Sequence, residues 1–409
     1  MLFCRSWLRS SATSCRKPLM LTEKRRETLG SMYSLVGTHS AVKLCRWQKS
    51  MLRNRGGCYK WTMYGIQSHR CMEATPNLAC ANKCVFCWRL NSNPVATEWK
   101  WDVDHPKETV QAMLSSHRAL VKDTRGVPGV TADRFDEAMR PQHCALSLVG
   151  EPILYPRINE FVAALHEEGI STFLVNNGQF PECIERLAPV TQLYLSVDAP
   201  NRETMKILDR PVFEDYWERF NRSVALMKTK RIRTVFRLTL IEGYNMGQKD
   251  VDEYKKLFQA GEPLLVELKQ LTPAFYGRST ILRLHNVPTF ERIVSVAKQL
   301  CDGTPYEIAS VHEHSACVLL AQRSKSFVDG RWNTWINFPR WISLANEDPT
   351  REPSASEYAT ITPPWAVYGS PEAGFDPKQE RFVSAKGKRW QDKQQGATVV
   401  NDIDATAAQ

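Results

Sequence analysis

Cys80-Ala81-Asn82-Lys83-Cys84-Val85-Phe86-Cys87 is the stretch on which the reading of this 409-residue chain turns. Three thiols in a C-x-x-x-C-x-x-C spacing can hold three corners of a cubane iron–sulfur cluster, because soft thiolates select iron–sulfur and zinc sites. So short a stretch supplies no fourth corner, which leaves one iron open to bind something else. A structural zinc site takes four ligands, commonly in paired C-x-x-C form, and is closed. Loose cysteines in a loop are the bland alternative, and their density here argues against it. Residues 74–79 read as the end of a strand leading into Cys80, and Trp88 and Arg89 follow Cys87.

Upstream, Cys45, Cys58 and Cys71 fall at two equal steps of thirteen residues. Equal steps in a non-repetitive sequence suggest separate loops converging on one metal. Three more thiolates again imply an iron–sulfur cluster with an open iron. The alternative is a closed zinc site with His39 or His69 as fourth ligand. From Thr28 to Met72 there is no Asp or Glu, while Lys43, Arg46, Arg53 and Lys60 interleave with Trp47, Tyr59, Trp61 and Tyr64. Cations grip phosphates and aromatics stack on unpaired bases, so RNA contact is expected rather than a merely solvated basic face.

The net charge of +10 favours a polyanionic partner, and 43% hydrophobic with 24% charged residues is ordinary for a globular chain. Six of the twelve cysteines lie between Cys45 and Cys87. That clustering speaks for metal in a reducing compartment and against a distributed disulfide framework. No apolar run approaches the ~20 residues of a membrane span, and no membrane association is expected. The first 22 residues are rich in Arg and Ser and lack acid, the composition of a mitochondrial transit peptide. Residues 1–27 are therefore read as a targeting segment, with a cytoplasmic location as the alternative, and Cys4 and Cys15 are excluded from the chemistry.

Beyond the cysteines, apolar runs at 143–149, 171–176, 192–197, 234–240 and 264–270 alternate with helical patterns near 106–122, 156–168, 201–208, 212–229 and 249–260. With the strand before Cys80 this makes about six βα units, an α/β chain with a parallel sheet or partial barrel. Function in a barrel sits at the C-terminal ends of strands. Gly150-Glu151-Pro152, Asn176-Asn177, Ser196, Asp198 and Thr239 fall there. Residues 122–142 look like a long loop. A last helix is expected at 289–301. Two strands joined by a turn near Asp329-Gly330 follow, with His312 and His314 as a pair on the sheet surface. The expected divisions are an N-terminal extension (28–75) carrying the upstream cysteines, the barrel (76–285), the helix and strands (286–345) and a flexible tail (346–409).

The cysteine loop followed by a strand ending in Gly-Glu-Pro resembles the radical S-adenosylmethionine superfamily. CMEATPNLACANKCVFCWR (71–89), CALSLVGEP (144–152), QLYLSVDAP (192–200) and WNTWINF (332–338) resemble, within it, the tRNA 4-demethylwyosine synthases of wybutosine biosynthesis. The resemblance implies a partial (β/α)6 TIM-like barrel with an N-terminal cluster-binding extension and a small C-terminal β extension. It implies two [4Fe–4S] clusters. One sits on Cys80, Cys84 and Cys87, its open iron binding S-adenosyl-L-methionine; the other sits on Cys45, Cys58 and Cys71, its open iron thought to bind pyruvate. The implied reaction, of the lyase class, condenses N1-methylguanosine 3′ of the anticodon of tRNA(Phe) with pyruvate into a tricyclic base. Lys60 matches a lysine proposed to form a Schiff base with pyruvate, a phosphate contact being the alternative. Glu151 matches a contact to the methionine amino group, and Asn177, Ser196 and Asp198 are further cofactor-side contacts. Many eukaryotic members carry an electron-supplying flavodoxin-like domain. There is no room for one before Cys45, so a separate ferredoxin or flavodoxin-like donor and a monomeric enzyme are expected. A radical enzyme acting on another RNA position, as a methyl- or methylthiotransferase, is the second reading. A zinc-stabilised RNA-binding module is the third.

Overall fold

A computed structural model describes residues 17–87, 89–90, 92–272 and 281–381. Ten strands form one sheet: β1 Ser34–Val36, β2 Ser40–Lys43, β3 Cys71–Thr75, β4 His143–Leu146, β5 Ser171–Asn176, β6 Gln192–Ser196, β7 Arg233–Leu240, β8 Leu265–Gln270, β9 Tyr306–His312 and β10 Cys317–Gln322. Their order is β1-β2-β3-β4-β5-β6-β7-β8-β10-β9. The six strands β3 to β8 are parallel, each beside its successor in sequence, and antiparallel strands flank both ends. This is the partial (β/α)6 barrel, extended at each edge. Near-continuous apolar runs suit strands covered on both faces, and every residue of β4 and β5 is buried.

The crossover helices read from the sequence carry the outer layer. Pro106–Lys122 starts on a proline whose missing N–H costs nothing at that position. It buries Val110, Met113, Leu114, His117 and Val121, a stripe at helical spacing. Gln248–Gly261 likewise buries Val251, Tyr254, Leu257 and Phe258. No helix among the described residues is long and apolar enough to cross a membrane.

Five expectations change. β3 begins at Cys71, so that residue lies in the first barrel strand and a division at 75/76 cuts across one packed unit. Residues 76–79 are a loop rather than a strand end, because the Asn77 side chain bonds both the N–H and the C=O of Ala79. The 122–142 stretch contains the helix Ala132–Ala138, which buries Phe135 and Ala138. Residues 306–322 form the hairpin β9–β10, turned at Ala316 in a left-handed conformation (φ 47°), whereas the Asp329-Gly330 turn joins only Phe327–Val328 to Arg331–Trp332. Finally, chain expected to be flexible beyond 346 is packed as far as 381. Tyr358 is fully buried, its hydroxyl accepting from Arg233 N and donating to Thr191 O, and Ala359–Thr360 pairs with Trp335–Ile336. Residues 382–409 lie outside the described residues.

The start of the chain differs in the same sense. Residues 1–16 are outside the described residues, but Met20, Leu21 and Leu29 are buried. Leu21 N bonds Thr38 O at 2.9 Å, and the helix Glu23–Gly30 runs through the expected boundary at 27.

One short helix decides the interior. Tyr59–Tyr64 packs against β9, and Tyr64 donates to Glu267 of β8 at 2.6 Å. Thr334 and Trp335 donate to its Met63 and Thr62 carbonyls. It thereby ties β8, β9 and residues 334–335 together.

Candidate functional site

The loop after β3 holds the first cysteine triad, and backbone bonds shape it. Cys80 bridges to Val95, while Asn82 pairs with Pro211. Val85 N donates to Leu208 O at 2.8 Å, Lys83 N to Asp209 O at 3.0 Å and Val212 N to Ala81 O at 2.9 Å. The loop is thus clamped between its own return strand and the end of the helix Arg202–Leu208. Cys84 senses Cys87 and Cys80 electrostatically. Burial pushes the Cys80 thiol up to about 12, helped by the Glu151 carboxylate and opposed by Arg89.

The Gly-Glu-Pro turn is locked against this loop. Gly150 has φ +73°, and a Cβ there would lie 1.9 Å from Asn77 O, so only glycine fits. Glu151 N donates to Ala79 O at 2.8 Å. The Glu151 side chain is 2% exposed. One carboxylate oxygen accepts from Asn177 N at 3.1 Å, while Oε1 is buried with no partner. Burial holds this carboxyl well above the usual range. A buried, half-satisfied acid beside a cysteine loop is an acceptor prepared for a cationic ligand group. Asn177 connects the two, its amide N–H donating to Cys80 Sγ at 3.5 Å.

Ser196 and Asp198 sit at the same end of the barrel. Asp198 accepts from Thr239 N at 2.9 Å and its carbonyl from Asn245 at 2.8 Å, so part of its role is to tie the ends of β6 and β7. Burial raises its carboxyl, with Thr239 and Arg237 opposing. Ser196 Oγ accepts a long bond from Arg237, 3.5 Å.

The second triad is assembled from three separate starts. Cys45 caps the helix Arg46–Met51, its sulfur accepting from Gln48 N at 3.3 Å. Cys58 caps Tyr59–Tyr64 and accepts from Ser68 at 3.3 Å. Cys71 opens β3. Burial pushes Cys45 up, with Glu73, Cys58 and Cys71 adding to it, and Cys71 is raised chiefly by burial, with Lys60 opposing. The triads therefore form two sets of soft, half-buried thiols, none in a disulfide. Such thiols give up their protons when a metal binds.

Among the described residues no three His, Cys, Asp or Glu are grouped closely enough for one metal ion. The zinc alternative loses His39 as a ligand, whereas His69 keeps a buried Nδ1 without a partner. His39 uses Nδ1 on Pro76 O (2.6 Å) and Nε2 on Asp104 N (3.0 Å). His69 Nε2 is held by Glu137 at 2.7 Å. Nor are His312 and His314 a sheet-surface pair. His312 is 2% exposed, bonds Ser315 at 2.6 Å, and both rings pack on Trp47.

Lys60 is buried, its Nζ 5.7 Å from the Tyr194 ring of β6. Around it lie groups that the sequence reading passed over: Glu73 of β3, Arg237 of β7, and Glu267 and Lys269 of β8. Lys60, Lys269 and Arg237 all pull on the Glu73 carboxyl against its burial. Their readable signal was a charge inside an apolar strand run, as in TVFRLTL and LLVELKQ.

A partial barrel carrying a three-cysteine loop and a Gly-Glu-Pro turn defines a radical S-adenosylmethionine protein, and the Radical SAM superfamily model matches residues 75–258. A second family model, Wyosine base formation, matches residues 260–322. A solved structure described as TYW1 with a lysine–pyruvate adduct bound is 30% identical, with a TM-score of 0.67 over 75% of this chain and 97% of that one. The crystal structure of archaeal TYW1 gives 30% and 0.60, over 75% and 98%. The mouse (Mus musculus) S-adenosyl-L-methionine-dependent tRNA 4-demethylwyosine synthase TYW1 is 49% identical over 89% of this chain and 51% of its own length. The rice (Oryza sativa subsp. japonica) synthase is 50% identical over 86% and 53%. The chain belongs to the tRNA 4-demethylwyosine synthase family. It spans about half the length of the curated relatives it matches.

Proposed function

We propose that this chain condenses N1-methylguanosine of tRNA(Phe) with pyruvate to form 4-demethylwyosine, using S-adenosyl-L-methionine and two [4Fe–4S] clusters. The observation that carries this reading is the convergence of two separate thiol triads on one barrel, with Lys60 inside it. Cys80, Cys84 and Cys87 would hold one cluster, and Cys45, Cys58 and Cys71 the other. Bound there, the first cluster and S-adenosyl-L-methionine supply the one-electron chemistry that removing hydrogen from an N-methyl group demands.

The chain's own residues position and protect. The open Glu151 oxygen would accept from the methionine ammonium, with Asn177 orienting that carboxyl while bonding Cys80, and Ser196 and Asp198 would line the cofactor side. Lys60 Nζ adds to the pyruvate carbonyl carbon and water departs, leaving an imine; the adduct named for the solved relative is of lysine and pyruvate. The buried barrel wall excludes water from reactive species. Arg46, stacked 4.6 Å from the Trp47 ring beside Cys45, offers a cation and an aromatic face to RNA.

Anaerobic reconstitution should give brown protein with about eight irons, the content of two cubanes. Turnover with pyruvate, S-adenosyl-L-methionine and methylated tRNA, followed by nucleoside mass spectrometry, should show the tricyclic base. A methylated or methylthiolated nucleoside instead would select the second reading. A ferredoxin or flavodoxin-like protein supplies the electron; product formed with neither a donor protein nor a chemical reductant would refute that. The Arg- and Ser-rich start directs the chain to mitochondria, and a fluorescent fusion carrying residues 1–30 that stays cytosolic would remove that assignment.

A further inference from the structure

The loop that carries Cys80, Cys84 and Cys87 is backed by a stretch of chain that reaches solvent. Lys83 N donates to Asp209 O at 3.0 Å and Val85 N to Leu208 O at 2.8 Å, so Cys84 sits between two residues bonded to that stretch. Val212 N continues the pairing on Ala81 O at 2.9 Å. Leu208 and Asp209 are buried. Lys206, Ile207, Arg210 and Val212 around them are exposed, as is Lys83 itself. Leu208 also packs with Leu282, Val85 and Phe86 in one apolar cluster, and Leu284, two residues beyond Leu282, is exposed.

Large apolar side chains left in water are informative when they gather. Ile207, Val212 and Leu284 are 49%, 43% and 42% exposed, three of nine such side chains among the described residues. Each lies within two residues of one that is bonded to, or packed against, this single loop. Among the described residues none of Lys83, Lys206 and Arg210 has an acid at ion-pairing distance. Glu203 and Glu214, the nearest exposed acids along the chain, lie outside residues 206–212. Arg210 stands at φ 46°, a left-handed conformation that glycine takes freely and arginine takes at a cost. An apolar centre rimmed by cations suits a brief encounter with an acidic protein, in which charge steers and a small dry patch seats the partner. A phosphate backbone would use the cations but not the aliphatic side chains between them.

We propose that Lys83, Lys206, Ile207, Arg210, Val212 and Leu284 form the docking surface for an acidic ferredoxin-type protein that feeds the loop cluster. One electron leaves the carrier's iron–sulfur centre, which is oxidised, and enters the cluster held by Cys80, Cys84 and Cys87, which is reduced; no atom is transferred. The inference rests on the reading of those cysteines and of a protein electron donor given above, and adds where the donor sits and why it is acidic.

The test uses the reconstituted full chain, with a reduced acidic [2Fe–2S] ferredoxin as probe. Carbodiimide, which joins amines to carboxylates in contact, should link the ferredoxin to Lys83 or Lys206, read by mass spectrometry of the cross-linked peptides. In stopped flow at low salt, Lys206→Glu and Arg210→Gly should each oxidise the ferredoxin about three- to tenfold more slowly, and the difference should vanish at high salt. Glycine suits the backbone at 210, so Arg210→Gly removes charge without straining the turn. Ile207→Ser should slow the reaction at every salt concentration. Reduction by dithionite, which needs no docking, should match wild type in all three variants and certifies fold and cluster. Wild-type ferredoxin kinetics in both Lys206→Glu and Arg210→Gly, or cross-links confined to other lysines, overturn this inference alone. So does weakened binding of methylated tRNA in those variants with ferredoxin kinetics unchanged, which would give the surface to RNA. If dithionite reduces the wild-type chain and ferredoxin does not, the inference falls together with the reading of a protein donor.

Discussion

Cys80, Cys84 and Cys87 lie on a single loop, whereas Cys45, Cys58 and Cys71 come from two helix starts and a strand start. The loop triad is shaped by backbone bonds to residues 208–212 and by the Gly150 turn. The dispersed triad exists only when the sheet has formed and Tyr59–Tyr64 is packed against β9. Its thiols are recruited by tertiary contacts. The difference teaches that one triad is a local motif and the other a product of the fold.

The sharpest way to break that comparison is to remove one thiol from each set. Cys84→Ala should abolish both cleavage of S-adenosyl-L-methionine and tricyclic-base formation, to background in anaerobic assays. Cys71→Ala should also abolish the tricyclic base, yet retain about half the iron and cleave the cofactor without making product. If Cys71→Ala kept full product formation, the two-cluster account would fall.

Next in size is Gly150→Ala, which tests how the loop triad is held. The left-handed φ and the 1.9 Å approach to Asn77 O predict destabilisation of about 3 kcal/mol or more. Chemical denaturation should show it, together with reduced iron retention in the loop cluster. Glu151→Gln keeps the shape but removes the acceptor's charge. Its dissociation constant for S-adenosyl-L-methionine should rise about ten- to a hundredfold in equilibrium dialysis, with pyruvate trapping at Lys60 untouched. The smallest effect belongs to His69→Gln. Glu137, its partner, is half exposed, so the loss should be about 1 kcal/mol or less, with iron content unchanged. A loss of iron would return His69 to the list of ligands.

Much of the barrel was legible in the chain because its strands are short apolar runs punctuated by amphipathic helices, and those signals are local. β4 to β8 fall within a residue or a few of where the pattern puts them. The hairpin β9–β10 was not legible as two strands: its turn at Ala316 uses a left-handed alanine rather than a glycine or asparagine signal. The packing of residues 346–381 was missed for a related reason. Pro, Ser and charge suggest disorder, but Tyr358 buries itself against Arg233 and Thr191, more than a hundred residues away. In the site, the cysteines, Glu151 and Asn177 could be read from spacing and strand ends. Lys269, Arg237 and Glu267 left only the weaker signal of a charge inside an apolar strand run, because such a charge points inward or outward according to register and neighbours.

By itself the sequence determined the chemistry at hand: six thiols in two sets of three, a glycine where only glycine fits, and a succession of βα units long enough for a barrel. Only the tertiary structure decided that the three thiols spread from Cys45 to Cys71 converge, that both ring nitrogens of His39 are taken, and that Lys60 is buried beside the Tyr194 ring. The physical reason is the range of the interactions. Ligand type and strand pattern are set over a few residues, whereas convergence and charge balance are set by contacts between segments far apart in the chain, where burial decides which charges must find partners.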